Sequence, residues 1–253
     1  MLNSFCAWTS LMGMGQIKTL ARLTALGAVV ALLTACTPVN VQRAEPEIER
    51  DTGEKPTIVV MPLDVELGEL TAGGVVEPHS AWTEAALQNM RAALDDQAEV
   101  YNVTLVDYQP QLGTPEERAT SIELIKLHRA VGGSVLLHHY LPVYALPSKE
   151  EKLDWSLGPA VDAISRTHDA DYALFIFVRD NYTTAGRMAV ILVYALAYGA
   201  YVPGGSQVGF ASVVDLSSGD IVWFNRLVRN TGDLRTPESA AETVRTLVSD
   251  AMK

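Results

Sequence analysis

Asp64, Asp107 and the run Arg179-Asp180-Asn181-Tyr182 are the polar residues that stand where apolar, β-branched runs of this chain stop. That placement has a chemical meaning, because open parallel sheets bind ligands beyond the carboxyl ends of their strands. Brought together, Asp64, Asp107, Arg179 and Asp180 form a polar rim for a small cationic or hydroxylated ligand, or the frame of a protein contact. The same residues also serve plain structural ends: aspartates at strand ends make turns and caps, and Arg179 beside a carboxylate makes an internal ion pair. Signatures of catalysis are missing. The chain has no phosphate-cradling Walker loop, no GxGxxG after a strand and no HExxH. Gly204-Gly205-Ser206-Gln207-Val208 departs from the GxSxG nucleophile elbow at its last position, where Val208 stands in place of glycine. His138 and His139 invite a metal, yet in the strand predicted for them neighbours point to opposite faces and cannot share one ion. The expectation is therefore no catalytic residue, no metal and no cofactor.

A second group of side chains suggests association instead of chemistry. From Met188 to Val214 no residue is charged, and Met188 to Val202 is almost wholly apolar. In helical register Tyr194, Tyr198 and Tyr201 share a face, while Ala195 and Gly199 form a small-xxx-small pair that lets another backbone approach. In strand register Val190, Leu192, Tyr194, Leu196 and Tyr198 alternate with smaller residues, so periodicity leaves helix and strand both open. A helix of this length spans about 22 Å, short of the ~30 Å hydrocarbon core of a bilayer. Two roles follow. The first expectation is a helix buried against a sheet; the sharper one is an exposed segment that drives self-association or dips into a membrane surface, where amphipathic tyrosines are at home.

Positioning these residues requires a framework, and the pattern of the chain supplies one. Thr57 to Leu63 reads as a buried strand, followed by a polar loop from Asp64 to His79 and a helix capped by Ser80 that carries Trp82, Ala86, Met90 and Leu94. Val103 to Val106 is a strand ending at Asp107. Thr114-Pro115-Glu116-Glu117 starts a helix that Gly132-Gly133 is expected to end, and Ser134 to Tyr140 reads as the next strand. Gly158 to His168 is a short helix, Tyr172 to Arg179 a strand apolar enough to be buried on both faces. Gln207 to Leu216 and Ile221 to Val228, joined by Ser217-Ser218-Gly219-Asp220, make a hairpin, and a last helix starts at Thr236-Pro237-Glu238. The fold class is α/β: a three-layer mixed sheet, mostly parallel, with a C-terminal antiparallel hairpin, in one domain over residues 57–253.

Upstream of that domain the sequence changes character. Lys18 and Arg22 precede an apolar run from Leu23 to Leu33 that ends in small residues, the layout of a secretory signal peptide. Leu33-Thr34-Ala35-Cys36 resembles the lipobox of bacterial lipoproteins. The resemblance implies cleavage of residues 1–35, acylation of Cys36 as the first mature residue, and, with Thr37 following, sorting to the outer membrane with the domain facing the periplasm. Residues 36–56, rich in Pro, Glu and Arg, are the expected flexible tether. Of the chain's two cysteines, Cys6 falls in the leader and Cys36 takes the lipid, so no disulfide or thiolate metal site is expected in the body. Losing Lys18 and Arg22 with the leader makes the mature protein more acidic than the whole chain, whose formal charge is −11. Nucleic acid is thereby excluded as an electrostatic partner.

The body is similar to periplasmic lipoproteins that share an α/β domain with the curli-secretion lipoprotein and the TolB amino-terminal domain. The residues that carry this are the early strand ending Val60-Met61-Pro62-Leu63 and the hairpin Val214-Asp215-Leu216-Ser217-Ser218-Gly219-Asp220-Ile221-Val222-Trp223. The resemblance implies an envelope assembly or export component that works through contacts with envelope proteins or with itself. The alternative is a periplasmic lipoprotein that binds a small ligand at the rim of Asp64, Asp107, Arg179 and Asp180.

Overall fold

One strand organises the molecule, and its sequence says why. Ala173-Leu174-Phe175-Ile176-Phe177-Val178 is an uncharged run at the heart of Tyr172–Thr183. Successive side chains of a strand alternate, so such a run buries both faces of a sheet at once. Leu174, Ile176 and Val178 enter one core, and Ala173 and Phe175 enter the other. The computed structural model describes residues 43–44, 55–149, 152–198, 205–230, 233–249 and 251, all within a compact unit of Val39–Lys253.

Numbered along the chain, the strands are β1 (Arg43–Ala44), β2 (Thr57–Val60), β3 (Asp64–Leu70), β4 (Val76–Pro78), β5 (Thr104–Asp107), β6 (Tyr172–Thr183), β7 (Gly205–Asp215) and β8 (Ile221–Arg229). The helices are α1 (Ser80–Tyr101), α2 (Pro115–His138), α3 (Asp162–His168), α4 (Ala185–Tyr198) and α5 (Pro237–Leu247). The eight strands form one mixed sheet, six of them in the order β1-β8-β7-β6-β2-β5, with β3 joined to β6 and β4 to β3. β2 and β5, β2 and β6, and β3 and β6 pair in parallel. From β6 outward through β7, β8 and β1 the ladder is antiparallel. β2 and β3 lie in succession along one side of β6, pairing with its first and second halves on either side of Met61-Pro62-Leu63. Pro62 lacks the N–H that a continuous ladder needs.

Helices α1 and α5 cover one face of the sheet, where Met90 and Leu94 meet Val244 and Leu247 over Ile58, Leu174 and Leu227. Helices α2 and α3 cover the other, packing Leu124, Val135 and Ile164 on Phe175, Phe210 and Phe224. The expected α/β class and three-layer plan hold.

Four local expectations are corrected. The stretch Asp64 to His79 is not a loop but the hairpin of β3 and β4. Val65 and Leu67 point into the core while Glu66 stays exposed, the period-two pattern of a half-buried strand. Gly68 is required there, since a Cβ would fall 2.5 Å from Val76 Cγ1. Ser80 is the first helical residue, and His79 is the cap: its ring accepts a hydrogen bond from Trp82 N at 3.4 Å and stacks on the Trp82 ring at 4.0 Å. Helix α2, opened by the reciprocal cap of Thr114 and Glu117, runs on through Gly132-Gly133 to His138, so the strand expected over Ser134 to Tyr140 is helix. Within the expected tether, Arg43 and Ala44 pair with Asn225 and Phe224 as β1.

Helix α4 settles the open choice over Met188 to Val202 as far as Tyr198. It is helical, and it is not buried against the sheet. Leu196 is 80% exposed, Val193 65% and Leu192 59%. Its place in the chain accounts for this: α4 lies in the connection between the adjacent antiparallel strands β6 and β7, after the end of β6 and before the start of β7.

Candidate functional site

The rim residues fall into three separate groups. Asp64, at the start of β3, and Arg179 on β6 are brought together on the α2 face. Arg179 Nη2 donates to Asp64 Oδ1 at 2.6 Å and Nη1 to the Asp64 carbonyl at 2.9 Å. The guanidinium also lies over the Phe177 ring at 4.2 Å, with Arg129 of α2 over the same ring at 5.4 Å and 3.8 Å from the Asp64 carboxylate. Two cations and the Asp64 carboxylate gather around one aromatic face, with Glu66 opposite Arg179 in the neighbouring strand, in a partly exposed charged cluster.

Asp180 follows Arg179 in the strand and therefore points to the opposite face. It is 2% exposed. Its Oδ2 accepts from the Tyr182 hydroxyl, from Gln207 Nε2 at 2.9 Å and from Leu234 N at 3.3 Å, while Thr243 donates to Gln207 Oε1 at 3.2 Å. Burial is the largest influence on its carboxyl and pushes it above the ordinary carboxylate range, against the pull of its three donors. The Tyr182 phenol is pushed up as well, by burial first and then by the Asp180 carboxylate. Arg235 lies over the Tyr182 ring at 4.1 Å and the Trp82 ring at 4.6 Å, held there by two hydrogen bonds of 2.7 Å to Asp233. This network ties β6 and β7 to the loop before α5. Asp180→Ala takes the acceptor from the Tyr182 hydroxyl and from Gln207 Nε2, while Leu234 N keeps Tyr182 Oη at 2.8 Å, and is expected to cost about 2 kcal/mol in urea unfolding. A variant as stable as the parent would mean that water replaces the carboxylate.

Asp107 ends β5 and belongs to neither group. It accepts from Arg91 Nε at 2.6 Å, and Arg91 also bonds Asp95 at 2.6 Å. Beside this pair the break at Met61-Pro62-Leu63 leaves an open pocket of about 410 Å³, walled also by Tyr108 and Pro110. Asp107 is thus a predicted rim residue that borders a cavity.

The histidines stay apart. His138 closes α2 and its Nδ1 pairs with the Tyr144 carbonyl at 2.8 Å; His168 Nε2 accepts from Gln109 N at 2.9 Å. His128 is buried on α2, 2.6 Å from Ser212 Oγ, with its ring stacked on Phe175 at 4.2 Å. Among the described residues no three His, Cys, Asp or Glu side chains are grouped to hold a metal ion.

Of the association residues, Tyr194 is 53% exposed on α4 and Tyr198 is the last residue of that helix. Tyr201 and Cys36, the residue expected to be acylated, lie outside the described residues. Sequence reasoning missed Arg91, Arg129, Gln207 and Leu234. Gln207 carried a signal, since the hairpin register that places Tyr172 opposite Asp215 also sets Gln207 opposite Asp180. Arg91 carried another, the i,i+4 spacing to Asp95.

No family model matches this chain, and no curated protein matches it. Among solved structures it is similar to a PelC dodecamer from Paraburkholderia phytofirmans, at 12% identity and a TM-score of 0.38 over 85% of this chain and 98% of that one. A point variant of the same dodecamer gives 14% identity and a TM-score of 0.36 over 84% and 98%. At TM-scores this low the likeness carries no argument about function or assembly.

Proposed function

We propose that this chain is a lipid-anchored protein of the bacterial outer membrane, facing the periplasm, that acts in envelope assembly or export by contacting envelope proteins or further copies of itself and not by catalysis. The observation that carries this reading is the contrast between α4 and the rim. Uncharged from Met188 to Tyr198 and largely exposed from Met188 to Ala197, α4 is a surface built for contact with a partner or with the envelope membrane, whereas Asp64, Arg179, Asp180 and Asp107 are engaged with partners inside the chain. Isolated apolar residues on a surface need no explanation, but a contiguous apolar patch does.

In bacteria making the full chain, labelled palmitate should enter the protein, which should sediment with the outer membrane. Cys36→Ala should abolish labelling and release the protein to the soluble fraction. Cross-linking in intact cells should trap it in species above the monomer mass. An unlabelled, soluble, monomeric protein would overturn the proposal. The pocket beside Asp107 favours a second reading, a small-ligand-binding lipoprotein. On that reading Asp107→Ala and Arg91→Ala should each weaken a compound that raises the melting temperature of the parent, and unchanged shifts would remove it.

A further inference from the structure

We infer that α4 is a membrane-contact element that lies in the surface of the bilayer holding the lipid anchor. The inference rests on the lipoprotein reading for the identity of that bilayer, and on the structure for the rest.

Three observations converge on a lipid surface as the occupant. The first is the shape of the apolar face. At 100° per residue, Met188, Val190, Leu192, Val193, Tyr194 and Leu196, each about half exposed or more, spread over roughly two thirds of the helix circumference. A helix from a second copy covers a stripe of about 100°, whereas lipid wets whatever the body leaves open. Fourteen residues span about 21 Å, and among the described residues no helix is long and apolar enough to cross a membrane, so α4 lies along the interface.

The second is a companion patch. Leu70 pairs with Thr183 at the end of β6, and Thr184 N donates to the Leu70 carbonyl at 3.1 Å, so the turn between β3 and β4 sits beside the start of α4. That turn, Thr71-Ala72-Gly73-Gly74-Val75-Val76, has no charge, and Val75 is 61% exposed. Arg187 pins the two together through the Thr71 carbonyl at 3.4 Å.

The third is the direction of the chain. β8 runs toward the α4 end of the sheet, where Arg229 pairs with Gln207. β1 runs against it, Arg43 opposite Asn225 and Ala44 opposite Phe224, so the chain enters β1 from the side of α4. Arg43, the first residue of β1, is thus the one nearer the end that carries α4 and the Val75 turn. The acidity of the protein adds a constraint: insertion has to be hydrophobic, without help from anionic headgroups.

The test uses residues 37–253 made without lipid. Both core clusters are drawn wholly from residues 58–251, so this chain keeps its complete core. It should co-float with vesicles of phosphatidylcholine alone, equally at low and high salt. The double substitution Leu192→Lys and Leu196→Lys, at two exposed positions, should lower partitioning at least about tenfold with circular dichroism and melting temperature unchanged. Leu196→Trp should show blue-shifted emission on the vesicles and quenching by brominated lipid chains. A parent chain that stays in the buffer overturns the inference, as does a double variant that floats like the parent. A stable dimer in light scattering that the two lysines dissolve overturns it in favour of a second copy. Failure of palmitate labelling in cells would sink the lipoprotein reading while leaving vesicle binding untouched, so the two claims fail separately.

Discussion

Gly132→Leu should leave a chain that no longer holds its native fold, a loss above about 4 kcal/mol. Helix α2 passes so close to β7 that a Cβ on Gly132 falls 2.2 Å from Phe210 Cε2 and 2.4 Å from its Cζ. Phe210 has nowhere to go: it is 2% exposed and stacks between Phe177 at 5.0 Å and Phe224 at 5.3 Å. Even Gly132→Ala should cost about 2 kcal/mol, the overlap outweighing the gain in helix propensity. The next residue is the control. A Cβ on Gly133 meets nothing within 4 Å, so Gly133→Ala should stabilise by about 1 kcal/mol. Urea unfolding of the two alanine variants decides the matter, and equal effects at both positions would remove the packing account.

Acid should destabilise the protein through His128, by about 3 kcal/mol between pH 6.5 and pH 4. Burial pushes this imidazole down from 6.5 to about 3, so in the native state it stays neutral while the unfolded chain takes up a proton. The contribution is complete above pH 6.5 and falls by up to ~1.4 kcal/mol per unit as pH drops toward 3. That is a large share of a stability that totals only about 5–15 kcal/mol in most domains. The check is urea unfolding at pH 7 and pH 4 for the parent and for His128→Leu combined with Ser212→Ala, the second change removing the hydroxyl that would lose its partner. The double variant should lose markedly less between the two pH values. An identical loss would place the acid sensitivity in other groups.

The class of fold was legible because its strongest signals are local and redundant. Tyr172 to Arg179 is too apolar to be anything but a buried strand, and Thr114-Pro115-Glu116-Glu117 states a helix start three times over. Gly132-Gly133 misled for a physical reason. Glycine ends helices when the chain must enter the left-handed region, but here it permits a close approach to Phe210, and that depends on a residue far away in sequence. β3 was hidden because Glu66, Gly68 and Glu69 interrupt its apolar signal, leaving only Val65 and Leu67 to mark the core face. The rim was half legible: Asp64 and Arg179 do meet, yet Asp180 is separated from them by the alternation of its own strand. Exposure of α4 was not legible at all, since an apolar helix reads identically whether a core, a bilayer or a partner covers it.

The short strand β1 has a mechanical consequence. A pull through the chain upstream of Arg43, directed toward the α4 end, acts along β1 and not across it. Antiparallel hydrogen bonds stand perpendicular to their strands, so such a load shears them together instead of opening them one after another. The force then passes from β8 into β7 and β6, the longest ladders of the sheet, before it reaches any helix. A body pulled in this way resists with its longest ladders first.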